Sequence, residues 1–225
     1  MAETEPTPPT NPPPAGARTT PRRKKAAPRI DHRLYRPITT LPEDARMLVG
    51  HGHEVIMFDH AITDAMVVHL THDGSSNYSF RFLIDDGEHH SEMFHGSGQH
   101  VGSYPLNMGS SPPFRYVAMK TDGDWTVQFR HLSESRTLKT RTGSTIDGEH
   151  CEVIQFATTE PTRIRVIAPD AEAVILNAIG SGTSNLLLRH QPFDGRLLVP
   201  PKTLALSMYV RGGGRNAADW SITVG

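Results

Sequence analysis

Residues 53–58 read HEVIMF and residues 151–156 read CEVIQF, so four of six positions are identical at an offset of 98 residues. Each copy follows a glycine-bearing turn, Gly50-His51-Gly52 in the first and Asp147-Gly148 in the second. Near the far end of each half, DWTV at residues 124–127 matches DWSI at residues 219–222, at an offset of 95. Matched first and last strands at nearly one period indicate a duplicated module. The sequence therefore predicts two tandem domains, over residues 48–132 and 148–225.

Large apolar residues alternate with polar ones through much of both halves. Clear examples lie at residues 66–70, 78–82, 125–129, 163–166, 173–176 and 204–208. This period of two is typical of strands with one buried face, and 19 Gly with 18 Pro favour turns over long helices. A helical turn is expected only at residues 41–47. We expect an all-β fold of two antiparallel β-sandwiches, of the jelly-roll or immunoglobulin-like type.

The two tryptophans of the chain, Trp125 and Trp220, occupy equivalent positions of the repeat. Each shares a strand face with apolar residues two and four positions further on, so both are predicted to fill a core rather than to form a sugar-stacking surface. Phe58 and Phe156 end the repeated hexapeptides and are predicted core residues as well.

The first 37 residues differ in composition from the rest of the chain. They hold nine of the 18 prolines and eight Lys/Arg against three Asp/Glu, a net charge of +5, whereas the remaining 188 residues hold 15 basic and 21 acidic groups, a net charge of −6. With few large apolar side chains this arm cannot form a core, so we expect it to be extended and disordered when alone. Residues 38–47 are interpreted as a connector and the polar residues 133–147 as a linker. The residues predicted to dock the arm on a protein partner are Arg22, Arg23, Lys24, Lys25, Arg29, Arg33, Tyr35 and Arg36.

Several function classes lack their sequence signals. No run approaches the roughly 20 apolar residues of a membrane span, and the N-terminus has no apolar segment of a secretory signal, so neither a span nor export by that route is expected. A single cysteine, Cys151, excludes an internal disulfide and a multi-cysteine metal site. Residues 96–98 and 180–182 read GSG and are predicted turns rather than nucleophile elbows. Residues 212–214 read GGG and are predicted to form a hairpin tip, not a phosphate loop.

Histidines provide the strongest case for an enzyme, because nine of the 13 lie between residues 51 and 100. The candidate metal ligands are His51, His53, His69 and His72. An extended His51-Gly52-His53 segment would place two rings on one face. A metal site of the cupin type also needs a carboxylate several residues further on, whereas Glu54 follows directly and would point away. We therefore expect no bound metal and no cofactor, although clustered histidines could make an interface sensitive to pH.

Three further segments carry a resemblance to a known group of proteins. They read THDGSSNY at residues 71–78, GSYPL at 102–106 and TDGDWTV at 121–127. In this order they resemble small β-sandwich modules common in actinobacterial proteins and their phages, with a His-x-Gly-x-x-Asn-aromatic turn, a Gly-x-Tyr step and a closing Asp-Gly-x-Trp-Thr strand. The resemblance covers residues 48–132, whereas the second half has APDA at residues 168–171 in place of the His-Asp-Gly turn. It implies a β-sandwich fold and an accessory, non-catalytic role, and it supplies no catalytic residues.

Three functional hypotheses follow. The first is a non-enzymatic structural protein, a phage virion component on the head or tail that assembles in the host cytoplasm and docks on capsid or tail proteins through its arm. The second is an accessory module of a bacterial cell that binds carbohydrate or another ligand of the envelope through exposed rings such as Tyr78 and Tyr104. Such a module would be located in the bacterial cytoplasm or at the cell surface. The third is a histidine-rich, metal-dependent enzyme. Homo-oligomerisation stays open, and nucleic acid is not expected as a partner.

Overall fold

The computed structural model describes residues 38–41, 46–75, 77–83, 89–108, 113–212 and 217–225. The predicted arm, residues 1–37, lies outside the described residues, and so do residues 42–45 of the predicted helical turn. At the ends of that turn, Leu41 closes a strand and Met47 opens the next one. Strands account for 72% of the described residues, as the alternating pattern predicts, and most of the remainder forms turns and loops.

The strands fall into two units. Unit 1 contains β1 (Ile38–Leu41), β2 (Met47–His51), β3 (Glu54–Ile62), β4 (Met66–His72), β5 (Asn77–Leu83), β6 (His89–Ser97), β7 (His100–Leu106), β8 (Phe114–Lys120) and β9 (Asp124–Arg130). A single 3-10 turn, Leu132–Glu134, follows β9. Unit 2 contains β10 (Thr145–His150), β11 (Glu152–Thr158), β12 (Thr162–Ala168), β13 (Ala173–Gly180), β14 (Thr183–His190), β15 (Phe193–Val199), β16 (Thr203–Arg211) and β17 (Ala217–Val224).

Each unit is a sandwich of two sheets. In unit 1, sheet A has the strand order β1-β3-β8-β5-β6 and sheet B has the order β2-β9-β4-β7. In unit 2, sheet C has the order β11-β16-β13-β14 and sheet D has the order β10-β17-β12-β15. Apart from β1, which runs parallel to β3, neighbouring strands within the sheets are antiparallel. The predicted all-β fold of two sandwiches is therefore confirmed.

The two units share one topology. If the eight strands from β2 or from β10 are numbered one to eight, both units pair them in the orders 1-8-3-6 and 2-7-4-5. Eight strands in two four-stranded sheets with this double Greek-key order form a jelly roll, whereas an immunoglobulin constant domain has seven strands in a different order. The duplication predicted from two short segments thus extends to the eight jelly-roll strands of each unit.

The tryptophans pack in the same way in both units. Trp125 on β9 is buried against Gly50, and its Nε1 donates a hydrogen bond to the carbonyl oxygen of Gly52 at 3.2 Å. Trp220 on β17 is buried against Gly148, and its Nε1 donates to the carbonyl oxygen of His150 at 2.9 Å. A Cβ atom at either glycine would meet the indole ring, so both positions require glycine.

Phe58 and Phe156 lie fully buried in the cores of units 1 and 2, respectively. The core of unit 1 is rich in aromatic side chains, and Phe58 contacts the rings of Phe114 and Phe129 edge to face at centroid distances of 5.9 and 5.8 Å. The core of unit 2 is mainly aliphatic. Two cores with the same strand order are thus packed with different side chains, many aromatic rings in unit 1 and mostly branched aliphatic groups in unit 2.

A short parallel segment precedes the jelly roll of each unit. In unit 1, β1 pairs with β3, and Thr40 lies opposite Met57. In unit 2, Thr137 forms a parallel bridge with Gln155 of β11, and Leu138 is buried in the core. These segments fall within the predicted connector and the predicted linker, so each stretch contributes backbone hydrogen bonds to a sheet edge.

The two units also contact one another. The backbone N–H of Ser103 on β7 donates to the carbonyl oxygen of Cys151 at 2.7 Å. Beside this bridge, Val67 of unit 1 packs with Val153, Ile179 and Ala205 of unit 2 in one buried apolar cluster. Burial of apolar surface on both sides joins the units through their sheets B and C.

Candidate functional site

A depression lies on the outer side of sheet B, where the loops of unit 1 meet. It is open and has a volume of about 670 Å³. All four strands of sheet B contribute to its lining. The lining residues are Val49, Gly50, His51, Thr71, His72, Asp73, Gln99, His100, Val101, Asp124, Trp125 and Thr126.

A row of apolar and threonine side chains crosses the floor of this depression. Strand register places Val49, Thr126, Thr71 and Val101 next to one another across β2, β9, β4 and β7. Val49 is 65% exposed and Val101 is 38% exposed, and Met47 at the edge of the same face is 60% exposed. We call Met47, Val49, Thr71, Val101 and Thr126 the apolar row. The two threonines separate Val49 from Val101, so exposed apolar side chains lie near both edges of one sheet face. Exposed apolar patches rimmed by polar residues mark interaction surfaces.

The loops at the rim are locked together by the segments that carry the family resemblance. The backbone N–H of Asp124 donates to Oδ1 of Asp73 at 2.7 Å, and the N–H of Asp73 donates to the carbonyl oxygen of Asp124 at 3.1 Å. Gly74 and Gly123 approach so closely that a Cβ atom on Gly123 would overlap the backbone of Gly74. The His-Asp-Gly and Asp-Gly-Asp-Trp sequences therefore stabilise a loop pair beside the apolar row.

The four candidate metal ligands all have other partners. His51 Nδ1 lies 2.6 Å from Asp124 Oδ1 at the exposed rim, and His53 Nδ1 lies 2.6 Å from the carbonyl oxygen of Thr121. His69 Nδ1 lies 3.0 Å from Ser103 Oγ.

The fourth candidate, His72, is buried, with Nδ1 3.0 Å from the carbonyl oxygen of Gly98 and Nε2 against the hydroxyl of Thr121. The described residues contain no group of three or more His, Cys, Asp or Glu side chains that could hold a metal ion.

The expected extended geometry of His51-Gly52-His53 is wrong. Gly52 has a φ of +70°, a left-handed conformation that only glycine adopts readily, so the chain turns between the two histidines. Their rings consequently bind different partners on the adjacent loop, Asp124 and the backbone of Thr121.

Behind the depression lies a buried cluster of rings. The ring of Tyr78 lies between those of His72 and His100, at centroid distances of 4.8 and 5.2 Å. The hydroxyl of Tyr104 lies 2.7 Å from Nε2 of His100 and donates to it when that nitrogen is unprotonated. The Nδ1 of His100 is buried without a hydrogen-bond partner in the described part of the chain.

Burial controls the ionisation of this cluster. It lowers the pKa of His100 to about 4, with further lowering from the nearby His150, His72 and His69. Burial also raises the pKa values of Tyr78 and Tyr104 above the ordinary tyrosine range. His100, Tyr78 and Tyr104 are therefore neutral at pH 7.

Cys151 closes this cluster from unit 2. Its thiol is buried, with Sγ 3.5 Å from the carbonyl oxygen of Val210, and burial raises its pKa. A neutral, enclosed thiol is a packing residue rather than an activated nucleophile.

The two aromatic rings proposed to bind carbohydrate are not exposed. Tyr78 and Tyr104 are both buried in the core of unit 1, contrary to the exposure that sugar stacking requires. They lie on the inner side of β5 and β7, because buried residues alternate with exposed or half-buried ones along these strands.

The remaining predicted site residues divide into two groups. Trp125, Trp220, Phe58 and Phe156 are buried in the two cores. The predicted docking residues Arg22, Arg23, Lys24, Lys25, Arg29, Arg33, Tyr35 and Arg36 lie outside the described residues. Gly98 has a positive φ in the turn that connects β6 of sheet A to β7 of sheet B, and Gly182 has a positive φ in the hairpin turn between β13 and β14. Both agree with the turns predicted at the GSG sequences.

The apolar row was missed by the sequence analysis, although a signal for it is present. Met47, Leu48 and Val49 are consecutive apolar residues in one strand, so at least one side chain must point away from the core. Leu48 faces the core, and its two neighbours face solvent. The buried ring cluster had no comparable signal, because it forms from residues far apart in sequence.

No protein-family model matches this chain, and no curated protein matches it either. Within the described ranges no helix is long and apolar enough to cross a membrane.

Proposed function

We propose that this protein is a non-enzymatic structural protein that docks on a larger protein assembly. The observation that carries the proposal is the apolar row, whose residues Val49 and Val101 stand exposed on an open sheet face. Enzymes and small-molecule binding proteins bury their ligands in enclosed pockets, whereas protein partners cover open apolar faces. The locked rim loops hold this face in a fixed shape, which favours binding to a rigid partner.

The charge of the chain supports two contacts with the assembly. The first 37 residues carry a net charge of +5 and the rest a net charge of −6, so the arm fits an acidic surface beyond the body itself. A sheet face and a tethered arm that bind one particle gain avidity from their linkage. The basic cluster Arg22-Arg23-Lys24-Lys25 is the part of the arm best suited to this contact.

We assign the assembly to a phage virion, with this protein on the head surface or the tail. Jelly rolls occur in viral capsid proteins, lectins and cupins, so the fold alone does not choose among them. The buried positions of Tyr78 and Tyr104 disfavour the lectin-like role, and the partners of the four candidate histidines disfavour the cupin-like role. The resemblance to modules of actinobacteria and their phages favours the virion.

Co-sedimentation tests this proposal directly. Full-length protein and residues 38–225 are each centrifuged with purified phage particles and with envelope fractions from the same source. The proposal expects full-length protein to pellet with the phage particles and the arm-deleted form to bind them more weakly. Pelleting with envelope fractions alone, or with neither fraction, would contradict it.

A matched pair of variants tests the apolar row. Val49→Asp places a charge in the row, and Leu198→Asp places the same charge at a 59% exposed leucine on β15 of unit 2. A desolvated charge at a docking face costs a few kcal/mol, so Val49→Asp should weaken particle binding roughly ten-fold or more. Equal binding by Val49→Asp and Leu198→Asp would exclude the apolar row as the docking face.

A further inference from the structure

Histidines of both units meet at the junction between unit 1 and unit 2. In unit 1, His69 on β4 lies opposite Ser103 on β7, and its Nδ1 is 3.0 Å from the Ser103 hydroxyl oxygen. The backbone N–H of Ser103 donates to the carbonyl oxygen of Cys151 in unit 2, and His150 directly precedes Cys151. His150 interacts electrostatically with both His69 and His100, the first residue of β7. The junction therefore has a histidine-rich part beside its apolar cluster.

The chain of unit 2 closes directly over His100. Gly102 forms a parallel bridge with Cys151, which is 2% exposed. A Cβ atom on Gly102 would lie 3.0 Å from both His100 Nε2 and the Tyr104 hydroxyl oxygen, and 3.2 Å from Cys151 Cβ. The two units are thus in close contact around this imidazole, and water reaches the ring more easily when they separate.

The closed junction disfavours a protonated imidazole. The Nδ1 atoms of His100 and His150 are both buried, and neither has a hydrogen-bond partner among the described residues. A protonated imidazole carries an N–H on each ring nitrogen, and a buried N–H without an acceptor costs free energy. Protonation of His100 also removes the lone pair at Nε2 that accepts from the Tyr104 hydroxyl, 2.7 Å away.

The charged groups that face His69 and His100 provide little compensation for a positive charge. These groups are Arg130, His72, His150 and the carboxylate of Glu152. The Glu152 carboxylate is already bound by Arg136, whose Nε and Nη2 donate to its two oxygens at 2.7 and 2.6 Å. The other titratable groups of the cluster stay neutral, because burial raises the pKa values of Tyr78, Tyr104, Tyr209 and Cys151.

Separation of the units is therefore linked to proton binding. Burial, and then the neighbouring histidines, lower the pKa of His100 to about 4, and burial followed by Arg130 lowers the pKa of His69. A hydrated histidine has a pKa of about 6.5. Rings exposed by separation consequently bind a proton at a higher pH than rings in the closed junction. As the pH falls from 6.5 towards 4, the equilibrium shifts towards separated units.

We infer that the junction between the two units is an acid-sensitive contact, which opens more often when a proton binds to His69 or His100. Opening disrupts the contacts of Cys151 and of the apolar cluster around Val67, whereas the main core of each unit stays packed. Such a local opening requires less free energy than the unfolding of a whole unit. The inference concerns the protein alone and does not rest on the proposed function.

The thiol of Cys151 reports on this opening, because it is the only cysteine of the chain and is buried at the junction. Its rate of reaction with 4,4′-dithiodipyridine is measured in the full-length protein and divided by the rate in the urea-unfolded chain at the same pH. This ratio should rise by up to about ten-fold per pH unit between pH 6.5 and 4, the change linked to one proton. A ratio that is constant or falls towards acid would overturn the inference.

Three matched substitutions identify the groups responsible. His100→Gln removes a site of proton binding and His150→Gln removes a repelling neighbour, so each should lessen the acid-dependent rise. The control, His190→Gln, changes an exposed histidine on β14 of unit 2 and should show the same rise as the unaltered protein. An equal rise in all three variants would exclude the histidine cluster as its cause.

Tryptophan fluorescence separates opening of the junction from unfolding of the units. Trp125 and Trp220 are each buried in the core of their own unit. As the pH is lowered, labelling of Cys151 should accelerate before the emission maximum of these rings changes. Parallel changes in labelling and emission would show that the units unfold instead of separating, and would refute the inference. Both readouts use purified protein without particles, so they can fail while particle binding persists, and the reverse also holds.

Discussion

Replacing Trp125 by alanine should destabilise unit 1 by about 3–5 kcal/mol, as deletions of large buried aromatic side chains do. The indole is almost completely buried, and its removal leaves a cavity between β2 and β9. The substitution also leaves the carbonyl oxygen of Gly52 without its donor, which contributes about 1 kcal/mol of that total. For a chain of this length the loss corresponds to a decrease in Tm of about 6–20 °C.

The two tryptophans make this experiment specific. Circular dichroism in a thermal scan follows the loss of strands in both units, and in the variant the fluorescence of Trp220 reports on unit 2 alone. Trp220→Ala is the matched variant in unit 2, and Val49→Thr is the surface control, with an expected change within about 0.5 kcal/mol. An unchanged Tm for Trp125→Ala would refute the packing role of this ring.

Three further predictions concern the second glycine–tryptophan pair, the buried histidine and the junction of the units. Gly148→Ala should lower the urea midpoint by the equivalent of about 1–3 kcal/mol, because its Cβ overlaps the ring of Trp220, and an unchanged midpoint would contradict this. In the folded protein the pKa of His100 is lowered to about 4, whereas in the unfolded chain it is about 6.5. As the pH drops from 6.5 to 4, the unfolded chain therefore binds a proton at His100 before the folded protein does, and the free energy of unfolding should fall by about 3 kcal/mol. His100→Gln should reduce that slope in acid titrations followed by fluorescence, and an identical slope would exclude His100 as its source. Val67→Asp places a charge in the buried contact between the units, beside Ile179, so calorimetry should show a separate unfolding transition for each unit. A single transition at the Tm of the unaltered protein would show that this contact does not couple the two units.

The positions of the central strands could be predicted from the sequence because one face of each strand is buried in a core and the other is mainly polar. Residues 66–70, 125–129 and 163–166 alternate clearly and lie in β4, β9 and β12, which are central strands of their sheets. Edge strands alternate less clearly because their side chains are partly solvated on both faces. Strand β14 illustrates this, since residues 183–186 are all exposed.

The parallel segments could not be predicted from local pattern. Thr40 and Thr137 lie in polar stretches whose pairing depends on backbone hydrogen bonds to β3 and β11 rather than on an apolar face. The repeat itself contains a weak signal, because each threonine is followed by a leucine, Leu41 and Leu138. An offset of 97 between these pairs, close to the 98 of the hexapeptides, shows that the duplication begins before β2.

Within the candidate site, features set by a single strand could be predicted from the sequence, whereas features set by contacts between distant loops could not. Trp125 and Trp220 each lie in a strand whose apolar and polar residues alternate, so this alternation was sufficient to predict that both rings are buried. The conformation at Gly52 depends on the loop it contacts, whose backbone accepts the hydrogen bond from His53. Local alternation therefore gave the wrong geometry there.

The proposed virion role requires this protein to be a stable part of phage particles. Quantitative mass spectrometry of purified phage particles, compared with the soluble fraction of the same lysate, tests it most directly. A virion component is expected in the particles at a fixed ratio to the major shell or tail protein and is expected to be depleted from the soluble fraction. Absence of the protein from the particles, with all of it monomeric in the soluble fraction, would refute the virion role.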